Sequence, residues 1–521
     1  MRQFAALVSV VLILMLFSFG SVAQTPQFKL GNEVLMEKYQ HLLKGKKVGL
    51  ITNQSGVNSQ EVSLVDIFAQ NSSIDLVALY SPEHGIDGIA KAGEYVESQI
   101  HPKLGIPVYS LYGQTRMPNE SMLRDVDVLV FDMQDVGSRT YTYMSTLNYC
   151  MVAAQKYNKP IIVLDRPNPV GGVIVDGPVM EDPYITFVGV DNLAMAHGMT
   201  AGELALFFNR NIGVDLTVVT MEGWTRDMLW QDTGLNWVQT SPNIPDISSL
   251  FGYMATGIGE GTGVYQADKF KWIGGKDIDS NQYAALLNNA GLLGVTFIPE
   301  NKGDAGGVRL NITNHNAFNP ARTGFYALGY AFSIGNFKVP KSTANNVVMF
   351  DKIMGTNKVG QYLEQGLSPQ EIEQRFAPGL NAFKAERQKY LIYGLQSGRG
   401  FILNTRDITV TVSGNPVIFD TPPYIDTNNR LMVPVRAITE AMGANVDWNS
   451  TNNVIRITRE SETILLTIGS TSVSVNGNDL LMDTTPVIKN QRTFVPVRYV
   501  GEYFGAHVNW EPQLRQVIIS H

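Results

Sequence analysis

Residues 128–139 read VLVFDMQDVGSR, four apolar residues that lead directly into a polar loop with two aspartates, a glutamine and an arginine. Similar short apolar runs recur along the chain at 48–52, 76–80, 161–164 and 216–220. Helix-like segments separate these runs, at 63–70, 141–157 and 200–209. Strands and helices that alternate at this spacing predict a parallel, doubly wound α/β sheet of the Rossmann type.

The predicted strands end in polar residues. The run at 76–80 is followed by Ser81-Pro82-Glu83-His84-Gly85, and the run at 161–164 by Asp165-Arg166-Pro167-Asn168-Pro169. In a doubly wound sheet a ligand binds outside the carboxyl ends of the strands, where loops and helix N-termini converge. We therefore expect three strand ends, including the one at 132–139, to bring carboxylates to one edge of the sheet.

The rest of the chain is expected to form further domains, because the chain is longer than one hydrophobic core usually holds. We predict a Rossmann-like domain at 24–242. A less regular segment at 243–400, with a strand at 308–312 and a helix at 320–333, is predicted to be a smaller α/β subdomain that closes over the first.

The last part of the chain contains an internal repeat. Val433-Pro434-Val435-Arg436 recurs as Val495-Pro496-Val497-Arg498, and Val446-Asp447-Trp448 recurs as Val508-Asn509-Trp510, both 62 positions further on. Gly443-Ala444 recurs as Gly505-Ala506 at the same offset. Three motifs at one offset indicate a duplicated module, predicted at 405–521 as β-rich (α+β) with one short helix in each copy.

The N-terminus has the pattern of a secretory signal. Arg2 precedes an apolar run at 4–19, and Ser21-Val22-Ala23 has small residues at both positions that a signal peptidase reads. We expect residues 1–23 to be removed. The mature protein is then expected to be secreted, extracellular or cell-wall associated, with no membrane contact after cleavage.

Composition excludes other classes. The net charge is −7, with no basic cluster, which argues against a nucleic-acid partner. The single cysteine, Cys150, lies in an apolar helical stretch and is predicted to be a buried thiol. No Gly-x-Ser-x-Gly, His-Glu-x-x-His or Gly-x-Gly-x-x-Gly motif indicates an esterase, a metallohydrolase or a nicotinamide enzyme.

The strand-end motifs and several others resemble the exo-β-N-acetylmuramidase family over residues 46–393. The additional motifs are Leu111-Tyr112-Gly113, His197-Gly198-Met199-Thr200, Gly202-Glu203-Leu204 and Ser241-Pro242-Asn243-Ile244-Pro245. The resemblance implies an active site between a Rossmann-like domain and a smaller α/β domain. It also implies release of N-acetylmuramic acid from the non-reducing end of peptidoglycan-derived muropeptides or disaccharides, without a cofactor.

The repeat module resembles the copper amine oxidase N-terminal-like domain. A copper site needs several converging imidazole or thioether ligands. The module has only His507 and His521, while Met432, Met442 and Met482 occupy core-like positions. We predict no metal in this module. We expect the module to contact the cell wall or the envelope.

Glycoside hydrolysis usually requires two carboxyl groups, an acid and a nucleophile or base. Glu83 is the first candidate, because it follows a buried strand and because the catalytic glutamate proposed for the family maps onto it. The second carboxylate stays open among Asp135, Asp176 and Glu260. The acetamido group of the substrate could also serve as nucleophile, so that one enzyme carboxyl would suffice.

Other residues of the same edge are predicted to bind substrate. Arg139 and Arg166 are candidates for the lactyl carboxylate of muramic acid, and the alternative for them is an ion pair with Asp135 or Asp165. The remaining candidates are His84, Gln134, Tyr141, Asp165, Asn168 and His197.

The chain departs from the family pattern at two places. The loop that begins Glu260-Gly261-Thr262-Gly263-Val264 lacks a following stretch with an arginine, and Asp176 replaces a glutamate. Two alternatives therefore stay open. One is a non-catalytic glycan-binding protein of the cell envelope, and the other is a broader N-acetylhexosaminidase.

Overall fold

The computed structural model describes residues 28–395, 400–449, 451–512 and 515–520. The predicted signal peptide therefore lies outside the described residues. Within these ranges, no helix combines the length and the apolar character that a membrane span requires.

The strands before the C-terminal module include all those that position the site. In chain order they are β1 (Lys47–Thr52), β2 (Asp75–Ser81), β3 (Gln99–Ile100), β4 (Pro107–Ser110), β5 (Val128–Asp132), β6 (Ile161–Leu164), β7 (Asp176–Val179), β8 (Ala194–Ala196), β9 (Leu216–Val219), β10 (Val264–Ala267), β11 (Trp272–Lys276), β12 (Val295–Pro299), β13 (Ala305–Ile312) and β14 (Ile402–Asn404).

The α-helices before the module are Gly31–Val34, Leu64–Gln70, Glu120–Leu123, Thr142–Lys156, Ala201–Ile212, Ile247–Thr256, Ser280–Asn288, Pro320–Ile334, Met349–Met354, Lys358–Glu364 and Pro369–Arg387. Local chemistry sets several of their ends. Ser63 caps the second of them through its hydroxyl, and Thr200 with Glu203 forms a capping box at the start of Ala201–Ile212.

The main sheet has the order β14-β9-β6-β5-β1-β2-β4-β3. The six strands from β9 to β4 are parallel, and the two edge strands are antiparallel to their neighbours. The chain runs outward from β1 through β2 to β4 and then returns to the other side of β1, to β5, β6 and β9. This reversal places the topological switch point between β1 and β5, and the predicted doubly wound sheet is confirmed.

Alternate residues of these strands enter two hydrophobic clusters, one on each face of the sheet. On one face Ile51 and Phe131 pack with the helices Thr142–Lys156 and Ala201–Ile212. On the other face Leu50 packs with residues of the helix Leu64–Gln70 and of the N-terminal segment. Cys150 lies within the first cluster and is fully buried, as predicted.

The region after the main domain contains a four-stranded antiparallel sheet of order β10-β11-β13-β12. The helix Pro320–Ile334 packs against it and against the helix Ile247–Thr256. Hydrophobic residues of this region belong to the same cluster as those of the main sheet, so the two share one continuous core. The chain then returns to the main sheet, where β14 pairs with β9.

The C-terminal module has its own hydrophobic cluster. Its strands are β15 (Thr409–Val412), β16 (Asn415–Pro416), β17 (Tyr424–Ile425), β18 (Leu431–Pro434), β19 (Asn445–Asn449), β20 (Val454–Arg459), β21 (Glu462–Thr467), β22 (Ser472–Val475), β23 (Asn478–Leu481), β24 (Val487–Lys489), β25 (Arg492–Pro496), β26 (His507–Glu511) and β27 (Gln516–Ser520). One helix belongs to each copy of the repeat, Val435–Ala441 and Val497–Tyr503.

The module offers no plausible metal site among its described residues. Met432, Met442 and Met482 are buried, while His507 is exposed on β26. No group of three or more His, Cys, Asp or Glu side chains converges anywhere in the described ranges. These side chains do not fit the copper that the name of the domain implies.

Candidate active site

The candidate site lies at the carboxyl ends of β2, β1 and β5, beside the switch point of the sheet. Glu83 follows β2, and Asp135 follows β5. The strand β1 lies between them, so that Asn53 and Gln54 at its end also enter the site. These two residues are not among those predicted from the sequence, although their position directly after the first strand is a signal that could have identified them.

Glu83 is buried, with 8% of its surface exposed. Its Oε1 accepts a hydrogen bond of 2.8 Å from the Gly93 backbone N–H, and its Oε2 accepts one of 2.5 Å from the Thr142 hydroxyl. Thr142 begins the helix Thr142–Lys156. The hydrogen bonds that this carboxyl accepts within the described residues come from uncharged donors.

His84 shapes the turn that presents Glu83. Its φ of 71° is in the left-handed region, which a residue with a side chain adopts only when its surroundings enforce it. The Nδ1 atom of His84 lies 2.7 Å from the Ala90 carbonyl oxygen, which holds the ring and closes the loop. His84 therefore positions the loop of Glu83.

Asp135 and His197 form a buried pair. Asp135 Oδ2 accepts from the Gly137 N–H at 3.0 Å and lies 3.3 Å from His197 Nε2, although these two atoms are not aligned for a hydrogen bond. His197 Nδ1 accepts from the Met199 N–H at 3.2 Å, which leaves the proton of the neutral ring on Nε2. The second carboxylate oxygen of Asp135 has no partner in the described part of the chain.

Several other buried polar atoms around the switch point have no hydrogen-bond partner in the described ranges. They are Asn53 Nδ2, Gln54 Oε1, Gln134 Oε1, Tyr141 OH and Thr240 Oγ1. Buried polar groups are almost always paired in a folded protein, so a group of unpaired ones marks a place where ligand or water completes the bonding.

Direct contacts connect these residues. Gln54 Nε2 donates to the Thr240 carbonyl oxygen at 3.2 Å, and the Tyr143 hydroxyl donates to the same oxygen. The rings of Tyr141 and Tyr143 are 4.8 Å apart. The unpaired atoms therefore belong to one polar cluster. It combines the residues directly after β1, the start of the helix Thr142–Lys156 and the loop that contains Thr240.

The second region contributes Tyr253, from the helix Ile247–Thr256. Its hydroxyl lies 3.1 Å from Thr140 Oγ1, and its ring packs edge-on against Tyr141 at 5.8 Å. Burial raises the pKa of Tyr253 to about 12, and the negative charges of Glu83 and Asp135 act in the same direction. Tyr253 therefore lies near enough to both candidate acids for their charges to act on it.

Both predicted arginines hydrogen-bond groups outside this cluster. Arg166 is buried and bonds Asp132 through Nε at 2.5 Å and through Nη2 at 3.1 Å. Arg139 donates only to carbonyl oxygens, those of Pro178, Leu193 and Ile353. The alternative of an ion pair with Asp135 or Asp165 is wrong, because Arg166 pairs with Asp132 and Arg139 has no carboxylate partner among the described residues.

Burial without a counter-charge lowers the pKa of Arg139 to about 9. Its three carbonyl bonds join the end of β7, the loop before β8 and the helix Met349–Met354. We interpret Arg139 as a structural residue of the boundary between the two regions.

A third arginine, Arg116, contacts Tyr112, on whose hydroxyl the charge of Glu83 acts. The guanidinium of Arg116 stacks on the ring of Tyr112, 3.4 Å from its centre, and its Nη1 is buried without a partner in the described residues. Burial raises the pKa of Tyr112, the charge of Glu83 raises it further, and Arg116 lowers it. Tyr112 therefore lies beside both, and Arg116 has a free donor at the site.

Most of the other predicted residues bond groups of the protein, although Gln134 Oε1 has no partner in the described residues. Asp165 accepts from Gly202 N, Arg166 N and the hydroxyls of Thr200 and Tyr393. Asn168 bonds Met199 O and Val170 N, and Gln134 Nε2 bonds Pro167 O. Asp176 accepts from Gly177 N and Asn319 Nδ2, and Glu260 is exposed in the turn before β10.

Four of the predicted residues therefore lie in the candidate site, Glu83, Asp135, Tyr141 and His197. They lie there with Asn53, Gln54, Thr240 and Tyr253. Asp165 and Asn168 hydrogen-bond residues 199–202 and thereby hold that loop in place. Burial raises the pKa of the Asp165 carboxyl to about 7, against the hydrogen bonds that it accepts.

Comparisons with known proteins agree with this architecture. The N-terminal family model of the exo-β-N-acetylmuramidase NamZ matches residues 48–248, and its C-terminal model matches residues 251–393. The model of the copper amine oxidase N-terminal domain matches residues 411–519. A curated relative, the peptidoglycan β-N-acetylmuramidase NamZ of Bacillus subtilis (strain 168), is 41% identical over 391 residues, which are 72% of this chain and 94% of the relative.

Two crystal structures of DUF1343 family proteins from Bacteroides fragilis NCTC 9343 are also similar. One is 35% identical with a TM-score of 0.64, and the other is 26% identical with a TM-score of 0.53. Each comparison covers 70% of this chain and 99% of the solved chain. Together with the two family models, these relatives show that the chain belongs to the NamZ family of exo-β-N-acetylmuramidases.

Proposed function

We propose that this chain hydrolyses the glycosidic bond of a terminal N-acetylmuramic acid and releases that sugar from the non-reducing end of peptidoglycan fragments. The observation that carries the proposal is the buried Glu83 beside a cluster of unpaired polar atoms, in a chain of this family. The named activity of the Bacillus subtilis relative, a peptidoglycan β-N-acetylmuramidase, supports the same substrate.

Glu83 acts as the general acid. Its carboxyl gives a proton to the oxygen of the leaving sugar as the bond to the anomeric carbon breaks. The hydrogen bonds from Gly93 and Thr142 are compatible with this cycle, because the Thr142 hydroxyl can donate to the ionised carboxyl or accept from the protonated one.

Asp135 is the second carboxylate. Its unpaired Oδ1 can accept a proton from the water that attacks the anomeric carbon. If the substrate acetamido oxygen attacks first, the same Oδ1 accepts the acetamido N–H and orients that group. The Gly137 N–H bonds the other oxygen and holds the carboxylate in place in both routes, and His197 Nε2 lies 3.3 Å from that oxygen.

Arg116 supplies the recognition of muramic acid. The lactyl ether of this sugar ends in a carboxylate, which N-acetylglucosamine lacks. The unpaired Nη1 of Arg116 is a donor for that carboxylate, and the stacking on Tyr112 holds the guanidinium plane. This assignment replaces the one made for Arg139 and Arg166, because Arg166 is paired with Asp132 and both Nη atoms of Arg139 are bound to carbonyl oxygens.

Hydrolysis of a chromogenic N-acetylmuraminide by the purified chain tests the proposed activity. We expect release of the chromophore, and a much lower rate on the matching N-acetylglucosaminide. Absence of turnover on both sugars would favour a glycan-binding protein without activity. Equal rates on both sugars would indicate a broader N-acetylhexosaminidase.

We also infer that the protein is exported. The support is the sequence pattern of Arg2, the apolar run at 4–19 and the small residues Ser21 and Ala23. N-terminal sequencing of the protein recovered outside the cells should begin at Gln24. Recovery of the full chain from the cytosol alone would contradict the inference.

A further inference from the structure

The two repeats of the C-terminal module are related by a two-fold axis. The strands β18 and β25 pair antiparallel, with Val433 opposite Val495, Met432 opposite Pro496 and Pro434 opposite Phe494. Val433 and Val495 occupy equivalent repeat positions, and the two other pairs exchange when the offset of 62 is applied. The axis therefore passes between Val433 and Val495.

This symmetry creates two equivalent grooves, each lined by both repeats. The first groove has a volume of about 600 Å³, and its lining includes Arg436 and Trp448 from the first copy and Arg492 from the second. The second groove has a volume of about 290 Å³ and is lined by the equivalent residues Arg498, Trp510 and Arg430. The two repeats therefore form two grooves with equivalent linings. A purely structural role would not require a groove in both repeats.

The grooves expose apolar groups that a folded domain normally covers. In the first groove Trp448 is 43% exposed, Ile418 71% and Ile488 54%. Exposed large apolar side chains gathered in one concave surface are typical of a binding site. An indole offers a flat face on which the C–H face of a sugar ring can stack.

The grooves also contain cations with free donors. Arg436 and Arg498 occupy equivalent positions and are exposed. The side chain of Arg436 makes no hydrogen bond within the described ranges, and Arg498 Nε lies 3.7 Å from Glu502, beyond hydrogen-bond distance. The other two arginines are held by exposed acids, Arg492 by Asp420 and Arg430 by Asp483.

We propose that the module binds glycan strands of peptidoglycan at both grooves, with Trp448 and Trp510 stacking on sugar rings and Arg436 and Arg498 bonding carboxylates of the strand. The identity of this polymer rests on the proposed function. The chain as a whole carries a charge of −7, so general electrostatic attraction cannot hold it on an anionic wall. Short-range contacts in the grooves supply that attachment, and two grooves in one module add their affinities through a high effective concentration.

Co-sedimentation with insoluble peptidoglycan tests the proposal. The full chain with Glu83→Gln is used, so that the strands are not degraded, and the peptidoglycan is stripped of teichoic acid. We expect Trp448→Ala or Trp510→Ala to weaken binding about fivefold, because one groove still binds, and the double variant to weaken it at least about fiftyfold, because both grooves are then impaired. Arg456→Ala, an exposed arginine of the same module outside both grooves, is the matched control and should bind as the parent does.

Two further variants protect the test against misfolding. Trp448→Phe keeps an aromatic face and should restore most of the binding. Arg436→Glu with Arg498→Glu keeps both indoles, changes only exposed side chains and should reduce binding at least about tenfold. Unchanged binding by the double tryptophan variant, equal loss in Arg456→Ala, or binding that requires teichoic acid would overturn the proposal.

The same variants made in the chain that retains Glu83 should hydrolyse a soluble muraminide at the parental rate. This readout separates the two proposals. If the parent shows no muramidase activity but groove variants still lose binding, the proposed function fails and the grooves stand. If the parent hydrolyses the muraminide but the groove variants bind peptidoglycan as the parent does, the groove proposal fails and the proposed function stands.

Discussion

The catalytic region and the C-terminal module place their polar groups in opposite ways. Around the switch point, Asn53, Asp135 and Thr240 are almost completely buried and have polar atoms without partners in the described residues. In the module, Trp448 and Arg436 are exposed in an open groove. A buried, unpaired site penalises every ligand that does not complete its hydrogen bonds, whereas an open groove gains affinity from each contact separately. The first arrangement favours specificity and catalysis, and the second favours attachment.

The largest effect is expected when one buried carboxyl of the catalytic region is replaced by an amide. We expect Glu83→Gln to lower kcat on a chromogenic muraminide at least about a hundredfold, because a general acid is lost while both hydrogen-bond partners are retained. The exposed Glu364→Gln serves as the isosteric control and should have parental kcat. Near-parental turnover in a Glu83→Gln protein with unchanged circular dichroism would remove Glu83 from the mechanism.

The same assay ranks the remaining carboxylates. Asp135→Asn should lower kcat at least about tenfold, since its unpaired oxygen is the one available to water or the acetamido group. Asp176→Asn should have a much smaller effect, because both oxygens of Asp176 are already bound by Gly177 and Asn319. A larger loss in Asp176→Asn than in Asp135→Asn would reverse the assignment.

A second test concerns selectivity at the buried site. Loss of one charge-assisted contact costs about 1.5 to 3 kcal/mol, which corresponds to roughly ten- to 150-fold in kcat/KM. Arg116→Gln should therefore reduce kcat/KM on the muraminide by that factor and leave the glucosaminide rate unchanged. Arg116→Lys keeps the charge and should recover part of the preference. If Arg116→Gln reduces both rates equally, the residue stabilises the loop and does not read the lactyl group.

The sequence predicted the sheet better than it predicted the side-chain partners. The run at 48–52 became Lys47–Thr52, and the helix expected at 141–157 became Thr142–Lys156. These elements follow from local apolar patterns, which one short segment contains in full. The short strand Pro107–Ser110 was missed, because four residues that begin with proline have too weak a pattern.

The missed site residues depend on long-range geometry. Thr240 and Tyr253 reach β1 and Asp135 through loops and a helix of distant segments, and no local pattern predicts that meeting. The direction of Arg166 follows from the pairing of β5 with β6, which brings Asp132 next to it. A strand-end position thus predicts the edge at which a residue lies, but the neighbouring strand decides which way its side chain bonds.

A third prediction uses pH to separate the two regions. Asp165 is buried in the catalytic region with a pKa raised to about 7, whereas the ordinary value is near 4. Between these values the folded state holds a proton that the unfolded state releases, so the free energy of unfolding should fall as pH rises from about 4 to 7. The expected slope is at most about 1.4 kcal/mol per pH unit.

The control for this slope is Asp165→Asn. The amide can donate to the hydroxyls of Thr200 and Tyr393 and accept from Gly202 and Arg166, as the protonated carboxyl does. Chemical denaturation at pH 5, 6 and 7 should give a flatter profile for Asp165→Asn than for the parent. Parallel profiles would show that Asp165 titrates alike in the folded and unfolded states.

The smallest expected effect is the most direct test of the contrast between the two regions. A chain truncated after Asp407 retains β14, which pairs with β9, and Thr405, whose N–H donates to the Leu216 carbonyl oxygen, so the edge of the main sheet stays closed. The removed residues have a separate hydrophobic core, and none of them contributes to the buried polar cluster. We therefore expect kcat and KM on a soluble muraminide to change less than about twofold, since a domain with its own core can be removed without repacking its neighbour. Turnover of insoluble peptidoglycan should fall by more than that, because attachment is lost. A folded truncated protein that loses activity on the soluble sugar would show that the module contributes to catalysis, and the division between a specific buried site and an attaching module would then be wrong.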